Sequence, residues 1–227
     1  MRLRVVVYNV RGFRDGLERV ARVAERFEPD VLLLNESGGR LRLRRFARTV
    51  GMDVAADPWA PFRRRVKNAV LARPPWRVVE HRLHRFEGAR RWYPRGALLA
   101  RLVRDRSDAI VVATHLGLHP AERLRHAEEL AGLLHGSAPL VVGGDLNETP
   151  ERRAASLLSD RLRDAWLLGG DAAGETFPAP DPAARIDYLF VSDGIRVERV
   201  LVAGDAEAAT GSDHRPVVAE LELPEQG

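Results

Sequence analysis

The chain has 227 residues, of which 45% are hydrophobic and 30% are charged, and it contains no cysteine. This length suits one large domain with its own core, and the lack of cysteine excludes disulfides and thiolate metal sites. No run approaches the roughly 18 apolar residues of a membrane span, and no signal peptide is recognisable, so we expect a cytoplasmic protein.

The formal net charge is +4 and the sequence pI is about 10.2, because nearly all basic residues are arginine and Lys67 is the single lysine. A mildly positive field favours anionic partners, phosphates among them. Two basic runs, residues 40–45 and 63–67, have two interpretations. They are either solvated faces or contacts for a nucleic-acid backbone.

A strand, a helix and a second strand are predicted at the start of the chain. Residues 3–10 are rich in β-branched side chains, residues 16–27 carry apolar residues at helical spacing, and residues 31–36 form a second apolar run. A βαβ unit makes its strands parallel, so the polar side chains of Asn9 and Glu36 should meet at one edge of the sheet.

The next segment predicts a helix, a short strand and a strand pair. The helix covers residues 40–50, the short strand residues 68–72, and the pair residues 76–85 and 96–103. Between the paired strands, residues 90–95 form a basic, aromatic loop. Its aromatic side chains either line an anion site or act as packing caps.

The second half of the chain repeats this alternation. An apolar strand over residues 108–114 runs into His115, and a helix is predicted over residues 120–135. The apolar run that follows ends in two glycines and then Asp145 and Asn147. Alternate residues of an extended chain point the same way, so these two side chains should project into one space, although an Asx turn into a helix near residue 150 accounts for them equally well.

The last third of the chain predicts a looser segment, residues 169–184, which is rich in glycine, alanine and proline and is interpreted as an exposed excursion. No linker divides the chain, so residues 1–224 are predicted to form one domain and residues 225–227 a disordered tail. Three further strands are predicted, over residues 185–191, 196–203 and 217–223.

Polar residues recur at the ends of these apolar strands, where a polar group costs free energy unless it is paired or binds an ion. Oxygen ligands without cysteine suit Mg²⁺, or Mn²⁺ in its place, better than zinc, and Mg²⁺ takes one or two carboxylates, which fits Glu36 with Asp213. The residues concerned are Asn9, Glu36, Asn68, His115, Asp145, Asn147, Asp187, Asp213 and His214.

Seven ordered segments resemble the motifs of the endonuclease/exonuclease/phosphatase superfamily. The match runs in register from about residue 3 to residue 223, almost the whole chain. The resemblance implies a four-layered α/β sandwich, with two mixed β-sheets packed face to face and helices on the outer sides. The segments are YNVRG (8–12), LNE (34–36), NAVLAR (68–73), THL (114–116), GDLN (144–147), IDYL (186–189) and SDHRP (212–216).

The resemblance also implies roles for individual residues. Glu36 with Asn9 would hold the divalent metal, and Asp213 would complete or flank that site. Asp145 and Asn147 would position the attacking water or the phosphate.

Further roles concern the imidazoles and the phosphate. His214, oriented by Asp187, would act as general base or stabilise the phosphoryl oxygens. His115 would contact the phosphate or help to protonate the leaving oxygen. Asn68 and Arg95 would contact the phosphate of the substrate.

The sequence departs from the family pattern in three respects. Asn35 stands where members often carry glutamine. Arg11 stands where the abasic-site endonuclease branch usually has aspartate, so a second metal ligand there is absent. No clear match exists to that branch's tyrosine-containing segment; Tyr93 lies in the basic loop, but the RGAL that begins at Arg95 is closer to phosphodiesterase and sphingomyelinase-type members.

The leading functional hypothesis is a Mg²⁺-dependent hydrolase of phosphate esters, first of all a nuclease that cuts nucleic acid. The alternative is a phosphatase or phosphodiesterase acting on a small-molecule, lipid or inositol phosphate. A binding module without catalytic activity is a third hypothesis, because a fold does not fix a function. A monomer without a membrane span is expected.

Overall fold

The computed structural model describes residues 1–57, 64–88, 92–171 and 174–224. The predicted tail, residues 225–227, lies outside these ranges, as do residues 90 and 91 of the basic loop. The strands within the described ranges are β1 (Arg2–Asn9), β2 (Val31–Asn35), β3 (Asp53–Ala56), β4 (Ala69–Ala72), β5 (Arg77–Arg85), β6 (Gly96–Arg104), β7 (Ser107–His115), β8 (Leu140–Asp145), β9 (Arg163–Asp164), β10 (Asp187–Val191), β11 (Arg196–Val202) and β12 (Val217–Glu222).

Helices connect several of these strands. A short 3₁₀ turn, Arg11–Phe13, follows β1. The described helices are α1 (Leu17–Glu25), α2 (Arg40–Thr49), α3 (Pro120–Leu133), α4 (Arg153–Ser159), α5 (Ala165–Gly169) and α6 (Ala208–Gly211). The strand–helix–strand order predicted for the start of the chain is confirmed.

The strands form two six-stranded sheets. The first has the order β11-β12-β1-β2-β4-β3 and the second the order β5-β6-β7-β8-β10-β9. Each sheet has one parallel pair, β1 with β2 and β7 with β8, and its other pairs are antiparallel. Each parallel pair is joined through a helix, as a parallel connection requires. Taken in the order given above, both sheets therefore have the same order of antiparallel and parallel strand pairs.

Three apolar clusters define four layers. One lies between the sheets, where Val7 and Leu33 meet Val111 and Leu189. A second packs α1 and α2 on the outer face of the first sheet, and a third packs α3 and α4 on the outer face of the second. Because the central strands are buried on both faces, they are continuous apolar runs. The predicted four-layered sandwich of two mixed sheets is confirmed.

The sequence patterns missed several short elements. Strands β3 and β9 and helices α5 and α6 have too few residues to show a period. The exposed excursion predicted for residues 169–184 is confirmed only in part: most residues from 177 to 184 are exposed or partly exposed, but Thr176 and Ala179 are fully buried. Within the described ranges, no helix is long and apolar enough to cross a membrane.

Two glycines in β8 let neighbouring backbones approach the strand closely. A Cβ at Gly143 would lie 2.4 Å from Cγ2 of Val7, on the facing sheet. A Cβ at Gly144 would lie 1.8 Å from the carbonyl oxygen of Thr114, on the adjacent strand. Real Cβ atoms do not approach so closely, so both positions require glycine.

Gly144→Ala should lower the free energy of unfolding by about 3 kcal/mol or more, because backbone atoms of β7 must move. Urea unfolding followed by circular dichroism measures the change. Gly132→Ala in α3 is the matched control, since nothing lies within 4 Å of a Cβ there, and it should stabilise the protein by roughly 0.5–1 kcal/mol. Equal stability of Gly144→Ala and the parent protein would contradict this account of β8.

Candidate active site

Asp145, at the end of β8, is the centre of a buried hydrogen-bond cluster. Its Oδ2 accepts Nδ2–H of Asn9 at 3.0 Å and lies 3.2 Å from Nε2 of His115. Its Oδ1 accepts the backbone N–H of Asn147 at 2.8 Å, which is the expected Asx turn. Burial alone would raise the pKa of Asp145, but His115, His214 and the amide of Asn147 outweigh it and hold the pKa well below its ordinary value. The carboxylate is therefore ionised at neutral pH.

His214 lies between two carboxylates. Its Nδ1 is 2.8 Å from Oδ2 of Asp187, and its Nε2 is 3.8 Å from Oδ2 of Asp145. Burial opposes protonation of the ring, but Asp187, followed by Asp145 and Asp213, outweighs burial and raises the pKa of His214 to about 10. The ring is therefore an imidazolium at neutral pH and carries a proton on both nitrogens.

Two residues that the sequence analysis missed hold this pair in position. Oγ1 of Thr176 donates a hydrogen bond to Oδ2 of Asp187 at 2.6 Å, and the ring of Phe177 packs 4.9 Å from the ring of His214. Both lie in the segment predicted to be exposed. No local sequence pattern identifies these two residues, because their partners, Asp187 and His214, come close to them only in the folded protein.

His115 is fixed by contacts at both ring nitrogens. Nη1 of Arg95 lies 2.7 Å from Nδ1, and Nδ2 of Asn147 lies 3.1 Å from Nε2. Arginine can only donate, so Nδ1 accepts and the ring proton is on Nε2, toward Asp145; Nδ2 of Asn147 then donates to the carbonyl oxygen of Leu116 at 3.2 Å and not to this nitrogen. The structure therefore brings together His115, Arg95, Asn147 and Asp145, which the sequence analysis selected from three separate segments.

Two buried asparagines join the sheets beneath this cluster. Nδ2 of Asn35 donates to the carbonyl oxygen of Thr114 at 2.8 Å, and its Oδ1 accepts the backbone N–H of Asp145 at 2.9 Å. Nδ2 of Asn68 donates to the carbonyl oxygens of Gly96 at 2.8 Å and Ala113 at 3.0 Å. Both amide hydrogens of Asn68 are thus used between the sheets, and its contact with a phosphate stays a prediction.

Glu36 follows β2 beside the cluster. It has a left-handed backbone conformation with φ of 50°, which is uncommon for a residue other than glycine and is typical of functional sites. Its partly buried side chain lines a cleft, and the charged group that most affects its neighbour Lys67 is this carboxylate. Asp213 lies near Arg11, whose Nε is 3.1 Å from its Oδ2.

The donor set at this edge fits a hard divalent cation. Glu36 supplies an anionic oxygen that opens into the cleft. Asn9, at the end of β1, offers an amide oxygen, and Asp213, in the turn between α6 and β12, offers a carboxylate. Asn9 uses its Oδ1 to accept the backbone N–H of Arg11 at 3.1 Å, which leaves this oxygen a second lone pair.

A second group of ligand atoms is formed by Asp145, Asp187 and His214. Among the described residues, these three present ligand atoms within 4.8 Å of one another, a spacing compatible with a metal ion. The Asp187–His214 hydrogen bond and the attraction of the imidazolium for Asp145 also account for this closeness.

A cleft of about 900 Å³ opens beside Glu36 and His115. Burial lowers the pKa of Lys67 in its wall to about 8, and Glu36 partly opposes the shift. One carboxylate, Glu36, faces seven cationic side chains among the described lining residues, so the wall attracts anions. The cations are Arg11, Arg14, Arg40, Arg42, Arg65, Lys67 and Arg95.

Two aromatic side chains lie at or beside the rim of this cleft. Trp92 is 49% exposed and Tyr93, which lines the cleft, is 51% exposed, so neither is a buried packing cap. Cζ of Arg64 lies 5.6 Å from the ring centre of Trp92, and Nζ of Lys67 lies 4.1 Å from that of Tyr93. These are cation–π distances, so the aromatic and basic side chains form one surface.

The sequence matches the model of the Endonuclease/Exonuclease/phosphatase family over residues 6–214. The chain belongs to this family, whose members are phosphoric ester hydrolases that generally depend on a divalent metal. It is therefore a phosphoric ester hydrolase, as the sequence analysis predicted. No curated protein sequence matches it significantly.

Solved structures share the whole fold at low sequence identity. An endonuclease/exonuclease/phosphatase family protein from Bacteroides thetaiotaomicron has a TM-score of 0.83 at 22% identity, with 99% of both chains covered. A mannosyl-6-phosphatase of the same species has a TM-score of 0.82 at 21% identity, covering 97% of this chain and 100% of that one. Truncated Caenorhabditis elegans TDP2 has a TM-score of 0.79 at 20% identity, covering 97% and 98%. These likenesses establish the fold.

The high pKa of His214 is testable in the metal-free protein. Its ring should stay protonated from pH 6.5 to pH 9 or so and titrate near 10, which ¹⁵N NMR of the imidazole nitrogens measures. Since the folded pKa exceeds the ordinary value of 6.5, the stability that this group contributes is full below pH 6.5 and is lost as pH rises through 10.

Asp187→Asn should lower the pKa of His214 by about one unit or more, because Asp187 is the main cause that raises it. Asp53→Asn, an exposed carboxylate in β3, is the control and should leave the titration unchanged. Titration of His214 near 6.5 in the parent protein would show that the pair is not an ion pair.

Proposed function

We propose that this chain is a Mg²⁺-dependent phosphodiesterase that cuts nucleic acid. The observation that supports this most is the cationic wall, which extends from His115 and Glu36 into the cleft. A polyanion that follows such a wall contacts several side chains at once, and the exposed Trp92 and Tyr93 offer faces on which bases stack.

The proposed metal site consists of Glu36 with Asn9 and Asp213. We place the ion there and not at Asp145, Asp187 and His214, because the positive charge of the imidazolium already offsets part of the charge of those two carboxylates and would repel a cation. When bound, Mg²⁺, or Mn²⁺ in its place, neutralises charge that develops on the phosphoryl oxygens.

The proposed roles of Asp145 and His214 follow from their protonation states. The ionised Asp145 accepts a hydrogen bond from the attacking water. Nδ2 of Asn147 bonds to the carbonyl oxygen of Leu116 with one hydrogen and donates the other to the oxygen of this water, which orients it toward phosphorus. His214 is protonated, so it donates from Nε2 to a phosphoryl oxygen and is not a general base at neutral pH. Asp187 holds its ring in that orientation.

His115 and Arg95 act on the same phosphate. The guanidinium of Arg95 keeps the ring proton of His115 on Nε2, which faces Asp145 in the free protein and would donate to a phosphoryl or leaving oxygen when the substrate is bound. Arg95 itself lines the cleft and contributes positive charge at the same place. Asn68 supports the floor through its bonds to β6 and β7.

A small phosphate ester is the second candidate substrate. A cleft of about 900 Å³ also has the size of a small-molecule site, and one structure with this fold is a mannosyl-6-phosphatase. The two candidates differ in what the cationic wall contacts: a chain of phosphates in one case and a single phosphorylated molecule in the other.

Nicking of supercoiled plasmid tests the nuclease. With Mg²⁺ the purified protein should convert the plasmid to the relaxed form, and excess chelator should abolish the reaction. His214→Ala and Asp145→Ala should each lower the rate by about two to four orders of magnitude. His135→Ala removes an exposed histidine outside the site and should leave the rate unchanged.

No nicking by a correctly folded protein in Mg²⁺ or Mn²⁺ would rule out unmodified duplex DNA. RNA, damaged DNA and small phosphate esters are then compared under the same conditions. Turnover of a small ester alone would replace the nuclease by the second candidate.

Glu36→Gln should weaken binding of Mn²⁺ by about tenfold or more, because an anionic ligand is lost. Electron paramagnetic resonance of free Mn²⁺ measures the affinity without any substrate. Glu128→Gln, on the exposed side of α3, is the matched control. Unchanged affinity in the Glu36 variant would move the proposed ion away from this carboxylate.

A further inference from the structure

The start of α2 forms one wall of the cleft. Gly38, Gly39 and Arg40 all line it, and Gly39 is the N-cap of this ten-residue helix. Glycine offers no capping side chain, and the first turn holds no acidic residue. The first amide groups of a helix have no partner within it and carry partial positive charge, so this end of the cleft favours an anion.

Arg65 supplies an independent sign of an anion at the same place. It lines the cleft, yet the residue is only 1% exposed. Its Nη2 donates to Oγ of Ser37 at 2.9 Å, whereas Nε and Nη1 are buried and have no hydrogen-bond partner within the described part of the chain. A buried guanidinium with unused donors is costly unless an acceptor reaches it.

The neighbouring carboxylate satisfies Arg65 only partly. Asp57 attracts it, but Oδ2 of Asp57 already accepts Nη2–H of Arg85 at 2.9 Å and the backbone N–H of Val66 at 3.3 Å. Burial lowers the pKa of Arg65, and Arg40 lowers it further by repulsion. Asp57 opposes these two effects, but it leaves Nε and Nη1 of Arg65 without a hydrogen-bond acceptor among the described residues.

Lys67 connects this region with the catalytic end of the cleft. Its ammonium group is attracted by Glu36 and repelled by Arg65, and all three residues line the cleft. The two regions thus belong to one cleft. A substrate that spans it meets the catalytic groups at one end and the α2 wall at the other.

We infer that Arg65, Arg40 and the first turn of α2 form a second phosphate site, which binds a phosphoryl group of the substrate other than the one that is cleaved. This inference rests on the proposed phosphoesterase function and narrows its substrate to molecules with at least two phosphates. Guanidinium groups and helix amides are the usual partners of phosphate oxygens. The second phosphate is either the next one in a nucleic-acid chain or the other ester of a small bisphosphate.

Isothermal titration calorimetry on the full chain with chelator tests the site without turnover. Thymidine 3′,5′-bisphosphate should bind about tenfold or more tightly than thymidine 5′-monophosphate, because the second phosphate gains charge-assisted hydrogen bonds. Arg65→Met should reduce this ratio to about threefold or less. Arg40→Gln should also reduce the ratio to about threefold or less. Because Arg40 is exposed, this variant tests the site even if the buried Arg65→Met variant misfolds.

Arg44→Gln is the matched control, because it removes one charge from the exposed side of α2 outside the cleft and should keep the ratio. An equal affinity for both thymidine ligands, or an equal loss of the ratio in the Arg44 and Arg40 variants, overturns the second site. The titration requires no hydrolysis. If the parent protein prefers the bisphosphate but cleaves no substrate, the second phosphate site is upheld and the proposed function is rejected.

The same titration separates the two sources of the phosphate. Tetrathymidylate is compared with thymidine 5′-monophosphate, and fructose 1,6-bisphosphate with fructose 6-phosphate. An Arg40-dependent preference for the oligonucleotide identifies a nucleic-acid chain, and one for the sugar bisphosphate identifies a small substrate. An absence of both preferences contradicts the inference.

Discussion

A buried, ionised carboxylate is the constraint on which the structure of this site depends. Asp145 is only 1% exposed, and such a charge is stable only when partners replace water. Its partners come from other strands: Asn9 from β1, His115 from β7 and, at the backbone N–H, Asn35 from β2. Because these strands belong to both sheets, the charge and the packing of the sandwich stabilise the same arrangement.

The imidazolium of His214 extends this network. It is held by Asp187, which in turn accepts a hydrogen bond from Thr176, so its orientation does not depend on the substrate. Fixed donors at a phosphoryl site are effective because they do not reorganise during the reaction. Glu36 is also held in one conformation. Its left-handed backbone is strained, and such strain is tolerated where a side chain must face a cleft.

The cleft wall draws its positive charge from the two basic runs of the sequence. Lys67 and Arg65 come from the basic run 63–67, and Arg40 and Arg42 from the basic run 40–45. Both runs were open to interpretation as solvated faces. The structure shows that members of each line one cleft, although others, such as Arg44 and Arg45, remain exposed on α2.

The sequence by itself determined the strand–helix order and the parallel β1–β2 pair, and it selected most residues of the candidate site, because apolar runs end in polar residues that have no role in a core. It also determined the family, since the motifs occur in register along nearly the whole chain. Only the tertiary structure decided which polar groups touch. Asn68 proved to join the sheets, and Thr176 and Phe177 support His214 from a segment without periodicity, because these contacts depend on how distant strands pack and not on local pattern.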